Sequence, residues 1–150
     1  MTEALRLLFV CTGNICRSPM AEVYAQAAGV RRRRLIEARS GGTLGLIDKP
    51  ADPLSVKVMG EMDIDLEGHL SSAVTEEMMN WAAYVLVMEL HHATKLRERF
   101  PDHENKIMLL ANFGGLNEIK DPIGGWRWKF RRCRGEIIRC VDNFLDTLPG

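Results

Sequence analysis

Phe9–Glu22, FVCTGNICRSPMAE, passes from an apolar run through a Gly/Asn turn, with two cysteines, an arginine and a Ser-Pro pair, into a helix-forming stretch. Its upstream part, LRLLFV (5–10), is a short continuous apolar run of the kind that makes a buried strand. Downstream, Ser18 and Pro19 offer an N-cap and first-turn pair for an alanine-rich helix reaching about Gly29. The stretch reads as strand, loop, helix, which places loop 11–18 at the carboxyl end of a strand.

The alternation continues along the chain. RLIEAR (34–39) predicts a second strand, SGGTLGLIDKPADP (40–53) a Gly/Pro-rich loop, and residues 54–62 a helix. AAYVLVM (82–88) has the β-branched, apolar character of a buried parallel strand, and KIMLL (106–110) is shorter and similar. Phe130, Cys133, Ile137, Val141, Phe144 and Leu148 recur at helical spacing and predict a long amphipathic helix that covers the sheet. These elements imply an α/β fold: a three-layer sandwich with a central four-stranded parallel sheet, helices on both faces, and a single domain over residues 1–150. Ligands of such sheets bind beyond the carboxyl ends of the strands, where loop 11–18 lies.

Composition narrows the function classes. Twenty basic residues balance twenty acidic ones, so no global field favours nucleic acid or an anionic membrane, and recognition of an anion has to be local. The N-terminal apolar run is too short to span a bilayer and lacks the basic start of a signal peptide, which points to a cytoplasmic protein with no membrane insertion. Four cysteines without CxxC or Cys/His zinc spacing suggest reduced thiols and no metal site. The run Arg31–Arg34 reads as a solvated turn. His91 and His92 should project in different directions and receive no function. Cys133 and Cys140 lie about 10 Å apart along one helix, too far to bond, and read as packing residues.

The loop's residue types fit one chemistry. Gly13 and Asn14 tolerate unusual backbone angles, so the loop can curl until the N–H groups of Thr12 to Ser18 converge on an anion at the positive end of the following helix. Arg17 can close this cradle with a planar fork suited to phosphate oxygens. Cys11, at its floor, would be stabilised as a thiolate by the same donors and would face a bound phosphate as a nucleophile. A Walker-type loop is excluded, because GxxxxGK[ST] is absent.

The string VCTGNICRSPMAE (10–22) resembles the signature of the low-molecular-weight protein tyrosine phosphatases. SGGT (40–43), PADP (50–53), DIDLEGH (63–69), VLVM (85–88) and DPIGG (121–125) resemble further family segments in the same order, so the likeness covers nearly the whole chain. The resemblance implies hydrolysis of phosphotyrosine through a cysteinyl phosphate. In that scheme Cys11 is the nucleophile, Arg17 the phosphate clamp and Asp121 the general acid and base, while Thr12, Gly13, Asn14, Ile15, Cys16 and Ser18 form the phosphate loop. It further implies that Ser18 donates a hydrogen bond to Cys11, that Asn14, Ser40 and His69 form a supporting network, and that Cys16 can form a reversible disulfide with Cys11. No metal or organic cofactor is needed, since the cradle and Arg17 stabilise the transferring phosphoryl group.

Three rival readings are weighed by sequence. Arsenate reductases need two further cysteines upstream of the Asp-Pro loop, whereas Cys133 and Cys140 lie downstream. Protein-arginine phosphatases tend to carry threonine where this chain has Ile15; the branched apolar side chain offers no hydroxyl and supplies a wall for an aryl ring, which favours tyrosine. A non-catalytic phosphate-binding module would be expected to lack Cys11 or Asp121. Ile123 stands where an aromatic wall is usual, and Leu46 resembles the bacterial subgroup acting on autophosphorylated tyrosine kinases, making such a kinase the implied partner. Trp126 and Trp128 either replace part of that wall or pack the last helix, with packing slightly favoured. The oligomeric state is not legible.

Overall fold

The computed structural model describes residues 3–149. Its elements are β1 (Leu5–Cys11), α1 (Arg17–Arg32), β2 (Ile36–Gly42), α2 (Pro53–Gly60), α3 (Glu76–Trp81), β3 (Tyr84–Val87), α4 (Leu90–Arg99), β4 (Ile107–Leu109) and α5 (Arg127–Thr147), with short 3-10 turns on either side of β4. The four strands are parallel in the order β2-β1-β3-β4. Leu7, Phe9 and Cys11 point into a core shared with α1, α2 and α5, while Leu8 and Val10 point into a second core with α3 and α4. This two-sided burial explains why β1 reads as a continuous apolar run rather than an alternating one.

The chain leaves β1 for β2 on one side and reaches β3 on the other, so the crossovers diverge at the carboxyl end of β1. That divergence opens a crevice at the strand end, the position where ligands bind in open α/β sheets. Cys11 is the last residue of β1 and pairs with Gly42 at the end of β2. Among the described residues no helix is long and apolar enough to cross a membrane.

Local expectations change in four places. The helix after the loop begins at Arg17, one residue before the expected cap, and its N-cap position, Cys16, makes no side-chain cap bond. Ser18 is not the cap, because its hydroxyl turns into the loop instead. The second strand runs through Gly42 rather than ending at Arg39, since parallel pairing with β1 continues to Cys11. The Arg31–Arg34 run is not a solvated turn. Arg31 and Arg32 close α1 and both reach α5, through Arg32–Asp146 at 2.7 Å and Arg31–Asp142 at 3.5 Å, while Arg34 donates to the Pro149 carbonyl just past that helix at 2.7 Å. Its acidic partner is the chain's own last helix.

The fourth change concerns Trp126 and Trp128, which do not pack the last helix: they are 78% and 55% exposed. The apolar stripe on α5 is supplied by Phe130, Cys133, Ile137, Val141 and Phe144, all buried as their spacing predicts.

Gly42 brings β2 against the loop. A Cβ at Gly42 would lie 2.6 Å from the Thr12 carbonyl oxygen and 3.2 Å from the Asn14 amide nitrogen, both backbone atoms. Gly42→Ala therefore cannot be absorbed by a rotamer change. It should cost about 2 kcal/mol of stability and weaken inorganic phosphate binding about tenfold or more, read by chemical denaturation and by titration calorimetry. A variant that lost stability while binding phosphate normally would show that β2 does not shape the loop.

Candidate active site

Loop 11–16 is held from outside by its carbonyl groups. The Cys11 oxygen accepts from Thr43 N at 3.0 Å, Thr12 from Leu44 N at 2.9 Å, and Ile15 from Asp52 N at 2.8 Å. The Asn14 oxygen lies 2.7 Å from His69 Nε2, which must donate because a carbonyl can only accept. With these oxygens turned outward, the intervening N–H groups turn into the curl, which is the geometry of an anion nest. Asn14 takes the left-handed conformation (φ 57°) that the curl requires.

Cys11 Sγ sits inside the curl, 2.9 Å from Ser18 Oγ. Ser18 Oγ in turn accepts from Asn14 Nδ2 at 2.8 Å, which leaves the serine proton for the sulfur. Asn14 Oδ1 accepts from Ser72 N at 2.9 Å, so Ser18, Asn14, Ser72 and His69 are one connected network. Ser40 makes its bond elsewhere, donating to Glu22 Oε1 at 2.5 Å. Burial pushes the Glu22 carboxyl up, against the bond from Ser40 and the charges of His69 and Arg39, which pull it down. Glu22 thus joins Ser40 electrostatically to His69. It lies four residues after Ser18 on the same helix face, a spacing at which sequence alone could have flagged it.

Arg17 is almost wholly buried, with its guanidinium beside the sulfur. Its Nη1 lies 3.0 Å from Glu89 Oε2 and donates to the Ile119 carbonyl at 2.8 Å, and Nη2 lies 3.7 Å from Asp121 Oδ2. Among the described residues its buried Nε–H has no partner, which leaves a directed donor for an oxyanion. Burial opposes the Arg17 charge, yet Cys11, Glu89 and Asp121 together hold it more firmly protonated than usual. Glu89 follows β3 directly and was not singled out by sequence. Burial alone would raise its carboxyl, but the hydrogen bonds from Arg17 and His91 bring it below its ordinary value.

His92 has a structural role that sequence reasoning missed, and the two histidines do not diverge. Their ring centroids are 4.0 Å apart. His92 is buried and held neutral, its pKa pushed down to about 3 chiefly by burial. Nδ1 accepts from Glu89 N at 3.1 Å, so the proton is on Nε2 and is donated to Thr12 Oγ1 at 2.8 Å. One neutral ring braces both the loop and the residue that holds Arg17. Glu89, His91 and His92 bring ligand atoms within 4.8 Å of one another. Both His92 nitrogens and the Glu89 carboxylate are already engaged, so this set does not fit a metal ion.

The remaining predicted positions fall around the mouth. Gly13 lies between two apolar side chains, since a Cβ there would be 3.5 Å from Leu46 Cδ1 and 3.6 Å from Ile15 Cγ1. Ile15 is half-buried and also packs against the core, so only part of it faces outward. Cys16 is buried with its thiol pushed up to about 12 by burial and then by the Asp52 and Asp121 charges, and all four cysteines are free. Asp121 is on the exposed loop between the second 3-10 turn and α5. Its Oδ1 accepts from Ile123 N at 3.0 Å, and Gly124 (φ 78°) turns the chain toward the helix. Ile123 is exposed, at 54%.

Glu89→Gln tests the clamp. Removing the charge should cost about 2 kcal/mol at pH 7, because Arg17 stays buried with its nearest counter-charge gone. A carboxyl depressed in the folded state contributes stability that is fully present above its ordinary value of 4.5 and is lost as pH falls through its lower folded value. The gap between wild type and variant, read by urea denaturation, should therefore narrow below pH 4.5. A gap independent of pH would assign the cost to packing instead of charge.

A family model for low molecular weight phosphotyrosine protein phosphatases matches residues 6–149. A protein-arginine-phosphatase of Geobacillus stearothermophilus is 35% identical over 147 residues, covering 95% of each chain. The low molecular weight protein-tyrosine-phosphatase Etp of Escherichia coli is 36% identical over 144 residues, covering 95% of this chain and 93% of Etp. Among solved structures, Vibrio vulnificus Wzb in complex with benzylphosphonate superimposes with a TM-score of 0.89 at 30% identity, over 96% of this chain and 99% of Wzb.

Proposed function

Because the chain belongs to the low molecular weight phosphotyrosine protein phosphatase family, we propose that it hydrolyses protein phosphotyrosine through a cysteinyl-phosphate intermediate. The observation that supports this most strongly is the Cys11 sulfur, held by Ser18 inside a curl of outward-facing carbonyls and beside a buried guanidinium with a free Nε–H. In the first step Cys11 thiolate attacks phosphorus in line. The S–P bond forms, the bond to the tyrosyl oxygen breaks, and Asp121 gives that oxygen a proton. In the second step Asp121 takes a proton from water, the water oxygen bonds to phosphorus, and the thiolate leaves. Arg17 and the loop N–H groups carry the equatorial oxygens through both steps.

Ser18 supports the second step in particular, because its proton stabilises the departing sulfur. The network of Asn14, Ser72 and His69, with the Ser40–Glu22 pair beside it, acts as a positioning shell for the strained loop. A cytoplasmic location belongs to the same proposal, since a reducing compartment keeps Cys11 a thiol. A tyrosine-phosphorylated protein kinase is the proposed partner, a reading that rests on the resemblance carried by Leu46.

Phosphoarginine is the second reading, favoured by the likeness to the Geobacillus enzyme. Ile15 and Leu46 on either side of Gly13 support tyrosine, because they offer an apolar flank to an aryl ring and no hydroxyl to a guanidino group. The deciding measurement is kcat/KM on matched phosphotyrosine and phosphoarginine peptides, with Cys11→Ser as blank. A phosphotyrosine preference of about tenfold or more is expected from the aryl contact. A preference for phosphoarginine would reverse the substrate and leave the two-step chemistry standing.

A further inference from the structure

Helix α4 opens with a capping arrangement in which His92, three residues after the N-cap Glu89, accepts from the Glu89 amide through Nδ1 at 3.1 Å. Glutamate or glutamine ordinarily fills that position, and either would satisfy the amide. A histidine adds a second nitrogen on the far side of its ring, and here that Nε2–H donates to Thr12 Oγ1 at 2.8 Å. The ring is wholly buried, which keeps it neutral and in one tautomer. Of the charged groups around it, Arg17, His91 and Lys95 oppose a positive ring and Glu89 favours one.

The residues on either side of the ring belong to the two halves of the site. Thr12 directly follows the nucleophile Cys11, and its carbonyl is fixed separately by Leu44 N at 2.9 Å. Glu89 is the counter-charge of Arg17, 3.0 Å from its Nη1. Backbone pairing of β1 with β3 stops at the Met88 N to Val10 O bond, so past it the spacing between Thr12 and Glu89 is left to side chains. We propose that His92 is a positioning residue for phosphoryl transfer, which through Thr12 holds the Cys11 sulfur in line with the oxyanion site that Glu89 and Arg17 define. The proposal rests on the phosphatase reading of the Cys11 site. In-line attack is sensitive to where the sulfur stands under phosphorus, whereas a bound phosphate is held by several donors at once, among them the N–H groups of the curl that Asp52 and His69 fix from outside. Loss of the brace therefore lowers reactivity more than it weakens binding.

Thr12→Val removes the hydroxyl at nearly constant volume, and Thr12→Ser keeps it. His92→Asn keeps an acceptor at the Nδ1 position for the Glu89 amide and loses the reach to Thr12. With p-nitrophenyl phosphate, Thr12→Val and His92→Asn should each lower kcat/KM about tenfold, while the inhibition constant of inorganic phosphate rises less than about threefold. Thr12→Ser should stay within about threefold of wild type. The double variant Thr12→Val/His92→Asn should fall no more than about twofold below the slower single variant, because both substitutions remove the same bond. Urea denaturation shows that each variant is folded under the assay conditions. Ring 15N NMR of the wild type tests the bond without any substitution: His92 should carry its proton on Nε2 alone from about pH 5 to pH 8. An unchanged kcat/KM in folded Thr12→Val, additive losses in the double variant, a loss of phosphate binding equal to the loss of kcat/KM, or a proton on Nδ1 overturns the positioning role and leaves the phosphatase reading standing. Absence of p-nitrophenyl phosphate turnover by the wild type overturns the phosphatase reading, and the positioning role falls with it.

Discussion

Cys11→Ser loses turnover by a factor on the order of 10⁵ or more on any phosphate ester, while inorganic phosphate still binds at wild-type strength or tighter. The two halves of this expectation have different origins. A serine hydroxyl at that position has no base positioned to remove its proton, because Ser18 already spends its own proton on residue 11 and the Asn14 amide is a donor. The nucleophile is lost with nothing to replace it. The anion site survives, because the Arg17 Nε–H and the inward N–H groups are set by contacts that do not involve the sulfur: Glu89, Ile119, Thr43, Leu44 and Asp52. The serine hydroxyl also brings no negative charge of its own to the phosphate's surroundings. Rapid-quench turnover and calorimetric titration with inorganic phosphate read the two halves separately. Residual turnover within tenfold of wild type would mean that another group attacks phosphorus, and the covalent mechanism would fall.

Asp121→Asn separates leaving groups. Phenyl phosphate expels a basic oxygen that needs a proton as it departs, so kcat/KM should fall by about 10²- to 10³-fold, within the usual range for a general acid. The p-nitrophenyl ester expels a weakly basic oxygen, and its kcat/KM should change less than about tenfold. Its kcat should nevertheless fall, because Asp121 also activates water in the second step, so the variant should release a burst of nitrophenolate and accumulate cysteinyl phosphate. The geometry allows both roles. Asp121 is fastened by the Ile123 amide, remains in contact with water, and stands beside Arg17 without displacing Glu89 from it. Equal losses on the two esters would remove Asp121 from the role of acid and leave it as a support for the loop.

The difference between what was readable and what was not follows from where the information resides. The strand, loop and helix around residues 9–22 were legible because a buried parallel strand, a Gly/Asn curl and a helical stretch each leave a local pattern. The C-terminal helix was equally clear, as its buried face repeats every three or four residues. The boundaries shifted wherever a distant partner set them: β2 reached Gly42 because β1 pairs with it, and Ser18 gave up the capping role for a bond to Cys11. Arg31–Arg34 looked solvated because Asp142 and Asp146 lie more than a hundred residues away in the chain.

Cys11 and Arg17 stood out as a candidate nucleophile and anion clamp from residue type within one loop, whereas Ser18 and Asp121 took their proposed roles from the resemblance to the family. Glu89, His92 and Ser72 could not be named, because they act through hydrogen bonds and ion pairs formed across the fold, and an isolated Glu, His or Ser leaves no pattern to read. The exposure of Trp126 and Trp128 was also beyond sequence, as helical periodicity leaves open which aromatic side chains α5 turns toward the core. The sequence by itself determined the sandwich and the strand, loop and helix around Cys11, which depend on short-range pattern and residue type. Only the tertiary structure decided what holds the loop open and how Arg17 is kept charged in a buried setting, because these depend on distances between segments that are far apart in the chain.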